Sequence, residues 1–340
     1  MEQHVVDFGG TETFGEASKK MKRHHQMQMS SESVRCKTER VGQVYAHVQA
    51  DETLSPQLSQ AAVCERMMLS VDAAKVKTTT GEWRDVKTMS LTDVTPTGET
   101  RQNSYFSRMC DYTTFTQAVQ VEVRRRQVRR SHQVCAINDG VDWIPPVIEA
   151  CRPDAVRILD FYPAAEHLAE PARAVFGEGT PEFTTWFEAT RHQLRHNTPD
   201  AALADLGAAH PRQIETINQA QAYFTKRLDM MHYVEFNAAH WPIGSGSGEA
   251  AHKVVIQSRM KRAAMRWHPD QVNPMVAIRN LICNDRWHSD WPLIMAAQMR
   301  RPALRLLPAK PPSHLPPGFQ LRPAIPWRHQ PIGKARFPSA

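Results

Sequence analysis

Three acidic residues stand at structurally marked places. Asp72 follows the alternating apolar residues Met67, Leu69 and Val71, at the end of the first strand of a hairpin. Asp139 follows the buried-type strand "QVCAI" and precedes Gly140, while Glu249 lies between a Gly-Ser turn and a basic, helix-prone segment. The separations are 67 (139 − 72) and 110 (249 − 139) residues, so a fold alone could gather them. Three converging carboxylates repel one another unless divalent cations sit among them. Oxygen ligands with no His or Cys complement favour Mg²⁺ or Mn²⁺ over zinc. Two such ions bridging a phosphate would activate an attacking water or hydroxyl and stabilise the leaving oxygen in line. That is the chemistry of nucleases and strand-transfer enzymes. Taken singly, such an acid is more often a turn residue or a helix cap, and the constellation carries more than its members.

The third acid sits in "HWPIGSGSGEAAHKVVIQSRMKRAAMRW", residues 240–267. A phosphate cradle is the competing reading of its glycines. The Lys-Ser/Thr that ends a Walker loop is missing, and Gly244, Gly246 and Gly248 alternate without the Gly-x-Gly-x-x-Gly offset. The glycines are better read as a flexible, sharply turning hinge into a helix that begins at Glu249. A helix N-terminus favours the ionised carboxylate a metal needs.

Stepping outward, the elements that must position these acids form a mixed α/β pattern. Thr13-Phe14-Gly15-Glu16 reads as a capping box opening one helix. Ser30 caps a second, with Met29 and Val34 placed for a hydrophobic staple and Gly42 as the stop. Two short helices with Arg35, Lys37 and Arg40 on the second fit a DNA-binding helix-turn-helix; a plain helical hairpin fits equally well on spacing alone. Residues 46–66 read as a linker. Strands follow at "RMMLSVDAAKV", at Trp83 to Val94 and at Asn103 to Met109, with "KTTTG" as the first hairpin turn. A long helix is expected from Asp111 to Arg130, its "RRRQVRR" run forming a solvated end that suits the helix dipole. "QVCAI", a helix at 143–151 and "AVRILDFY", closing at Asp160, add two strands around a helix. From about 164 to 237 the pattern is helical, without strand signals. After Arg301 the chain is Pro-rich and aperiodic, and reads as a disordered tail.

Composition narrows the partners. The 340 residues carry 42 Lys+Arg against 35 Asp+Glu, a net charge of +7 that favours polyanions such as nucleic acid. The six cysteines are scattered without a Cys-x-x-Cys pair, which excludes a zinc ribbon or a dense disulfide framework. No apolar run reaches the roughly 18 residues of a membrane helix, and the first residues lack a signal-peptide pattern. A cytoplasmic protein without membrane partners is expected. Lys253, Arg259, Lys261 and Arg262 would contact phosphates on or near the third acid's helix.

With these motifs in order, the chain resembles the bacterial insertion-sequence transposases of the ISKra type. The anchors are "SVDAAKVKTTTGEWRDVKT", "INDGVDWI", "ILDFYPAAEHL" and "WPIGSGSGEAAHKVVIQSRMKRAAMRW". The resemblance runs from about residue 10 to residue 291. It implies an RNase H-like core with a DDE triad, carried onto Asp72, Asp139 and Glu249, holding two Mg²⁺ or Mn²⁺ ions. It further implies metal-dependent cleavage and strand transfer of double-stranded DNA, at element ends and target, by a homo-oligomer on DNA. The implied division is a DNA-binding region at 1–45, a linker at 46–66, the first part of the core at 67–176, a helical insertion at 177–239, core completion at 240–300 and a tail at 301–340. Two departures predict a truncated or decayed copy: Pro163 stands where the family's Asp-x-Tyr-His has histidine, and both ends differ from a full-length member. The rival reading is a non-catalytic DNA-binding remnant.

Overall fold

The computed structural model describes residues 1–51 and 63–300, and of Ser247, Glu249 and Arg300 the backbone alone. Part of the expected linker and the whole expected tail lie outside the described residues. Three helices open the chain: α1 (Glu2–Thr11), α2 (Phe14–His25) and α3 (Ser31–Val48). Three strands follow, β1 (Arg66–Lys77), β2 (Trp83–Val94) and β3 (Thr100–Arg108). Next come α4 (Tyr112–Ala118), α5 (Gln120–Arg125), β4 (Gln133–Asn138), α6 (Ile144–Cys151) and β5 (Val156–Leu159). A helical block comprises α7 (Phe161–Phe176), α8 (Pro181–His196), α9 (Asp200–Ala209), α10 (Ile214–Thr225) and α11 (Tyr233–Ala238). Then α12 (Gly246–Ala251), a π-helical turn (His252–Gln257), α13 (Ser258–Met260), α14 (Pro269–Cys283) and α15 (Trp287–Arg300) complete residues 1–300, one compact unit. Among the described residues no helix is long and apolar enough to cross a membrane.

The five strands form one mixed sheet in the order β3-β2-β1-β4-β5. The β1–β2 and β2–β3 pairs are antiparallel, and β1–β4 and β4–β5 are parallel. This α/β architecture follows from the sequence pattern: antiparallel strands lie close in the chain, and the parallel ones are separated by helices. Because side chains alternate along a strand, β1 serves two layers. Met67, Leu69 and Val71 pack under Phe115, Val119, Val123 and Ile148 of α4–α6. Met68 packs on the other face with Cys135, Ile137 and the α7–α11 block, including Leu168, Leu194 and Phe224. Further along that same face, Ala74 and Val76 are covered by Val255, Ile256, Met275 and Val276. Asp72 lies between these two coverings, and it is inside β1, five residues before its end, not at its end.

Other expectations change for tertiary reasons. The capping box forms, with Thr13 Oγ1 accepting from Glu16 N and the Glu16 carboxylate from Thr13 N. Ser30 caps α3 by accepting from Ser33 N at 3.0 Å. Gly42 does not stop that helix, which continues to Val48. A Cβ at Gly42 would lie 2.2 Å from the Pro274 carbonyl oxygen, so glycine is required for α3 to cross close to α14. Val41, Val44 and Tyr45 pack there against Ala277, Ile278 and Leu281, which fuses the opening helices to the rest of the unit.

The expected helix at 111–130 is broken into α4 and α5, and the chain turns at Gln127 with φ 53°. Its arginines are a solvated end only in part: Arg124, Arg129 and Arg130 are exposed, whereas Arg125 and Arg126 are drawn in. Arg125 grips Asp290 of α15, which also accepts from Tyr45 at 2.7 Å, and Arg126 reaches Asp93 and the Gln102 carbonyl. Arg129 donates to the Ala150 carbonyl. Beside them, the buried Arg286–Glu122 pair is joined by two bonds of 2.6 Å.

Candidate functional site

The β1–β4 ladder runs from Arg66↔Gln133 to Ser70↔Ile137. Two residues further along each strand come Asp72 and Asp139. Their separation of 67 residues equals the register offset of the two strands, so that register, continued two residues past its last pair, would bring them to the same level. By alternation Asp72 shares the face of Met68 and Ser70, the side that carries α7–α11. Asp139 opens onto the same side, lining a cleft with α7 residues.

The turn that carries Asp139 is held on both sides. Its Oδ1 accepts from Val141 N at 3.1 Å, and Tyr223 Oη donates to its backbone carbonyl at 3.1 Å. Gly140 has φ +80°, and a Cβ there would lie 2.3 Å from Arg227 Nε. Arg227 donates twice to the Gly140 carbonyl, at 2.7 and 3.2 Å. The end of β4 is thus fastened to the end of α10.

Asp72 is half-exposed, with Oδ1 accepting from Ala73 N at 2.6 Å. His252 Nδ1 lies 3.3 Å from its Oδ2. Burial, reinforced by the Lys261 charge, pushes the His252 imidazole down to about 4. The contact is therefore a neutral ring against a carboxylate rather than an ion pair. Nε2 of this ring is buried with no hydrogen-bond partner.

The third acid arrives on a loop that is tied down rather than free. Phe161 N donates to the Ile243 carbonyl at 3.0 Å. Ser245 donates to the Asp160 carboxylate through its backbone N, at 2.9 Å, and through its hydroxyl. Gly248 N then closes a turn onto the Ser245 carbonyl at 2.6 Å. A Cβ at Gly244 would lie 3.0 Å from the Tyr162 ring, and one at Gly248 would lie 2.7 Å from Ser70 Oγ. None of the three loop glycines has a left-handed φ, so Gly244 and Gly248 are needed for clearance and not for a hinge. The helix starts at Gly246, three residues before the expected Glu249. The chain therefore passes directly over β1 at Ser70, and Glu249 is the next residue after that contact.

The basic residues divide into two groups. Arg259 is 1% exposed and cannot be a surface phosphate contact. Its guanidinium lies between the Phe14 and Trp267 rings and donates to the Gly9 carbonyl at 3.1 Å. Arg262 donates to the Thr11 carbonyl and pairs with Glu16, both at 3.0 Å, and Arg279 donates to the Gly10 carbonyl at 3.1 Å. Gly9, Gly10 and Thr11 are the last residues of α1, which has no basic residue of its own there. Helix C-terminal carbonyls lack intrahelical partners and favour cations, and three arginines supply both needs. Lys253 and Lys261 lie on the surface. On α3, Arg35 pairs with Glu32 and Glu39, Arg40 with Glu2 at 2.7 Å, and Lys37 is partly exposed.

Several site residues carry no mark in the sequence. A cleft of about 770 Å³ opens beside Asp139, walled by Tyr162, His167, Arg191, Tyr223 and Arg227. Tyr162 is 64% exposed and His167 stacks on Tyr223 with centroids 3.7 Å apart. Pro163 is part of this wall, in the first turn of α7, where proline is tolerated. These residues belong to helices whose surface arginines and aromatics look ordinary until the block folds onto β4.

No protein-family model matches the chain, and no curated protein does so either. Among the described residues no group of three or more His, Cys, Asp or Glu side chains is placed to hold a metal, and the side chain of Glu249 is not one of those described. Asp72 and Asp139 are partly accessible carboxylates that open on the same side of the sheet, the oxygen donors a hard cation takes. Two carboxylates brought close repel unless a cation is shared.

Proposed function

We propose that this chain is a DDE-type DNA transposase with an RNase H-like core, acting on the ends of an insertion sequence. What supports the reading is the β1–β4 register, which continued by two residues would set Asp72 of β1 level with Asp139 just past β4, together with the approach of Gly248, next to Glu249, to Ser70 on the same face of β1. The strand order, three antiparallel strands followed by two parallel ones, agrees with that core. Asp72, Asp139 and Glu249 would hold two Mg²⁺ or Mn²⁺ ions, which when bound supply an activated attacking water or hydroxyl and a stabilised leaving oxygen. The chain's own part is to fix the two carboxylates and to shape the cleft beside Asp139, where Arg191 would meet phosphate and Tyr162 a base or sugar face. Exposed cations including Lys37, Lys253 and Lys261 would bind the duplex in a salt-dependent way. Assembly of two or more copies on the DNA belongs to the same reading.

The test is nicking of DNA that carries the sequences flanking this reading frame, with Mg²⁺ or Mn²⁺. Asp72→Asn and Asp139→Asn should abolish cleavage while leaving DNA affinity within about twofold. A wild-type protein that binds these ends but cuts with neither metal would sink the catalytic reading. A second reading, a DNA-binding remnant, is favoured by one observation: Pro163, at the position of the family's histidine, lines the cleft next to Asp139. If it is right, Pro163→His should raise cleavage from a low or absent baseline.

A further inference from the structure

The aspartate that ends β5 has no role in the triad, yet it is the most heavily engaged of the strand-end acids. Asp160 is 2% exposed. Its backbone continues the ladder, with Asp160 N donating to the Asn138 carbonyl at 2.8 Å, so it stands level with Asp139. Oδ1 accepts from Tyr162 N at 3.0 Å and caps α7. Oδ2 accepts from both Ser245 N and Ser245 Oγ. Phe161 N, the next donor along, holds the Ile243 carbonyl. Two successive residues at the end of β5 thus bind two points, Ile243 and Ser245, of the loop that leads to Glu249.

We infer that Asp160 is a positioning residue, the clamp that sets where Glu249 stands over β1; the inference rests on the metal-dependent reading above. The path is short. Ser245 fixes Gly248 through the 2.6 Å turn bond, and Gly248 passes close enough to β1 that a Cβ there would lie 2.7 Å from Ser70 Oγ. Glu249 is covalently next. A carboxylate suits this post because three donors converge on it and none of its oxygens needs to donate. An amide would turn an NH₂ group towards at least one of those donors, so Asp160→Asn is close in shape yet breaks the clamp.

The experiment uses the full chain and two readouts. Hydrogen exchange at residues 243–250 should rise about tenfold in Asp160→Asn, the size expected for losing a charged hydrogen bond, with α6 and α14 unchanged. Ser245→Ala, which keeps the backbone bond, should give a smaller rise in the same peptide and covers the case in which Asp160→Asn fails to fold. Mn²⁺ titration is the second readout. Affinity should fall several-fold in either variant, with no further fall when the substitution is added to Glu249→Gln. Unchanged exchange at 243–250 would overturn the inference, as would faster exchange with wild-type Mn²⁺ affinity, since the clamp would then hold the loop without placing the acid. If the wild type binds no Mn²⁺, the metal reading fails, and the exchange result alone decides whether Asp160 is the clamp.

Discussion

Strands β4 and β5 end side by side, each followed by an aspartate at the same level of the sheet. Asp139 is partly exposed, takes one backbone N–H on its carboxylate and lines an open cleft. Asp160 is buried and takes three donors. Residue type and strand position are shared, so neither decides the role. What differs is the segment that packs on each end. The loop at 243–248 lands on β5 and saturates its acid, whereas α10 reaches only the backbone beside Asp139, through Tyr223 and Arg227. A carboxylate held by its main chain stays available to a ligand; one held by its oxygens becomes part of the frame.

Substitutions can break this contrast, and the largest effect belongs to Asp139. Asp139→Asn should cost cleavage more than the roughly 10–100-fold typical of a residue behind a metal ligand. Its melting transition should stay within about 0.5 kcal/mol of wild type, as for other partly exposed substitutions. Cleavage retained at near wild-type rate would erase the distinction between the two ends. Asp160→Ala should behave in the opposite sense, losing about 3 kcal/mol in denaturant unfolding because it strands buried N–H donors that had a charged partner. Gly140→Ala sharpens the β4 side: strain at φ +80° and the clash with Arg227 should cost about 2 kcal/mol, measured by thermal unfolding. The smallest effect is Ser245→Ala, which removes a single hydroxyl donor and should cost about 1 kcal/mol.

Alternation in "RMMLSV", "QVCAI" and "AVRIL" carries the sheet and its mixed character, because strand faces are written in every second residue. Caps at Thr13 and Ser30 are equally local and equally readable. The failures share one cause, a partner far away in the chain. Gly42 looks like a stop until Pro274 lies against it, and Arg259 looks like a surface cation until Phe14 and Trp267 enclose it. Arg125 and Arg126 look as solvated as the rest of their run until Asp290 and Asp93 meet them. In the candidate site, the position of Asp139 after its strand was open to reading, and so was a Gly-rich approach to Glu249, whereas Asp72 was placed at a strand end and lies inside β1. Which of the two strand-end acids, Asp139 or Asp160, would be consumed by the loop was not, since that depends on where residues 243–248 land after more than 80 intervening residues, a separation of 85 between Asp160 and Ser245.

The arginines that finish α1 have a consequence for how the chain is made. Gly9, Gly10 and Thr11 wait for donors 250, 269 and 251 residues further on. At a synthesis rate of about 5–20 residues per second, that is a delay of roughly 10–50 s. During that interval the first helices emerge from the ribosome with their last carbonyls facing water and Gly42 without its neighbour. These helices are therefore completed only when residues 259–283 appear, and until then the apolar stripe of Val41, Val44 and Tyr45 is open to any other surface that comes by.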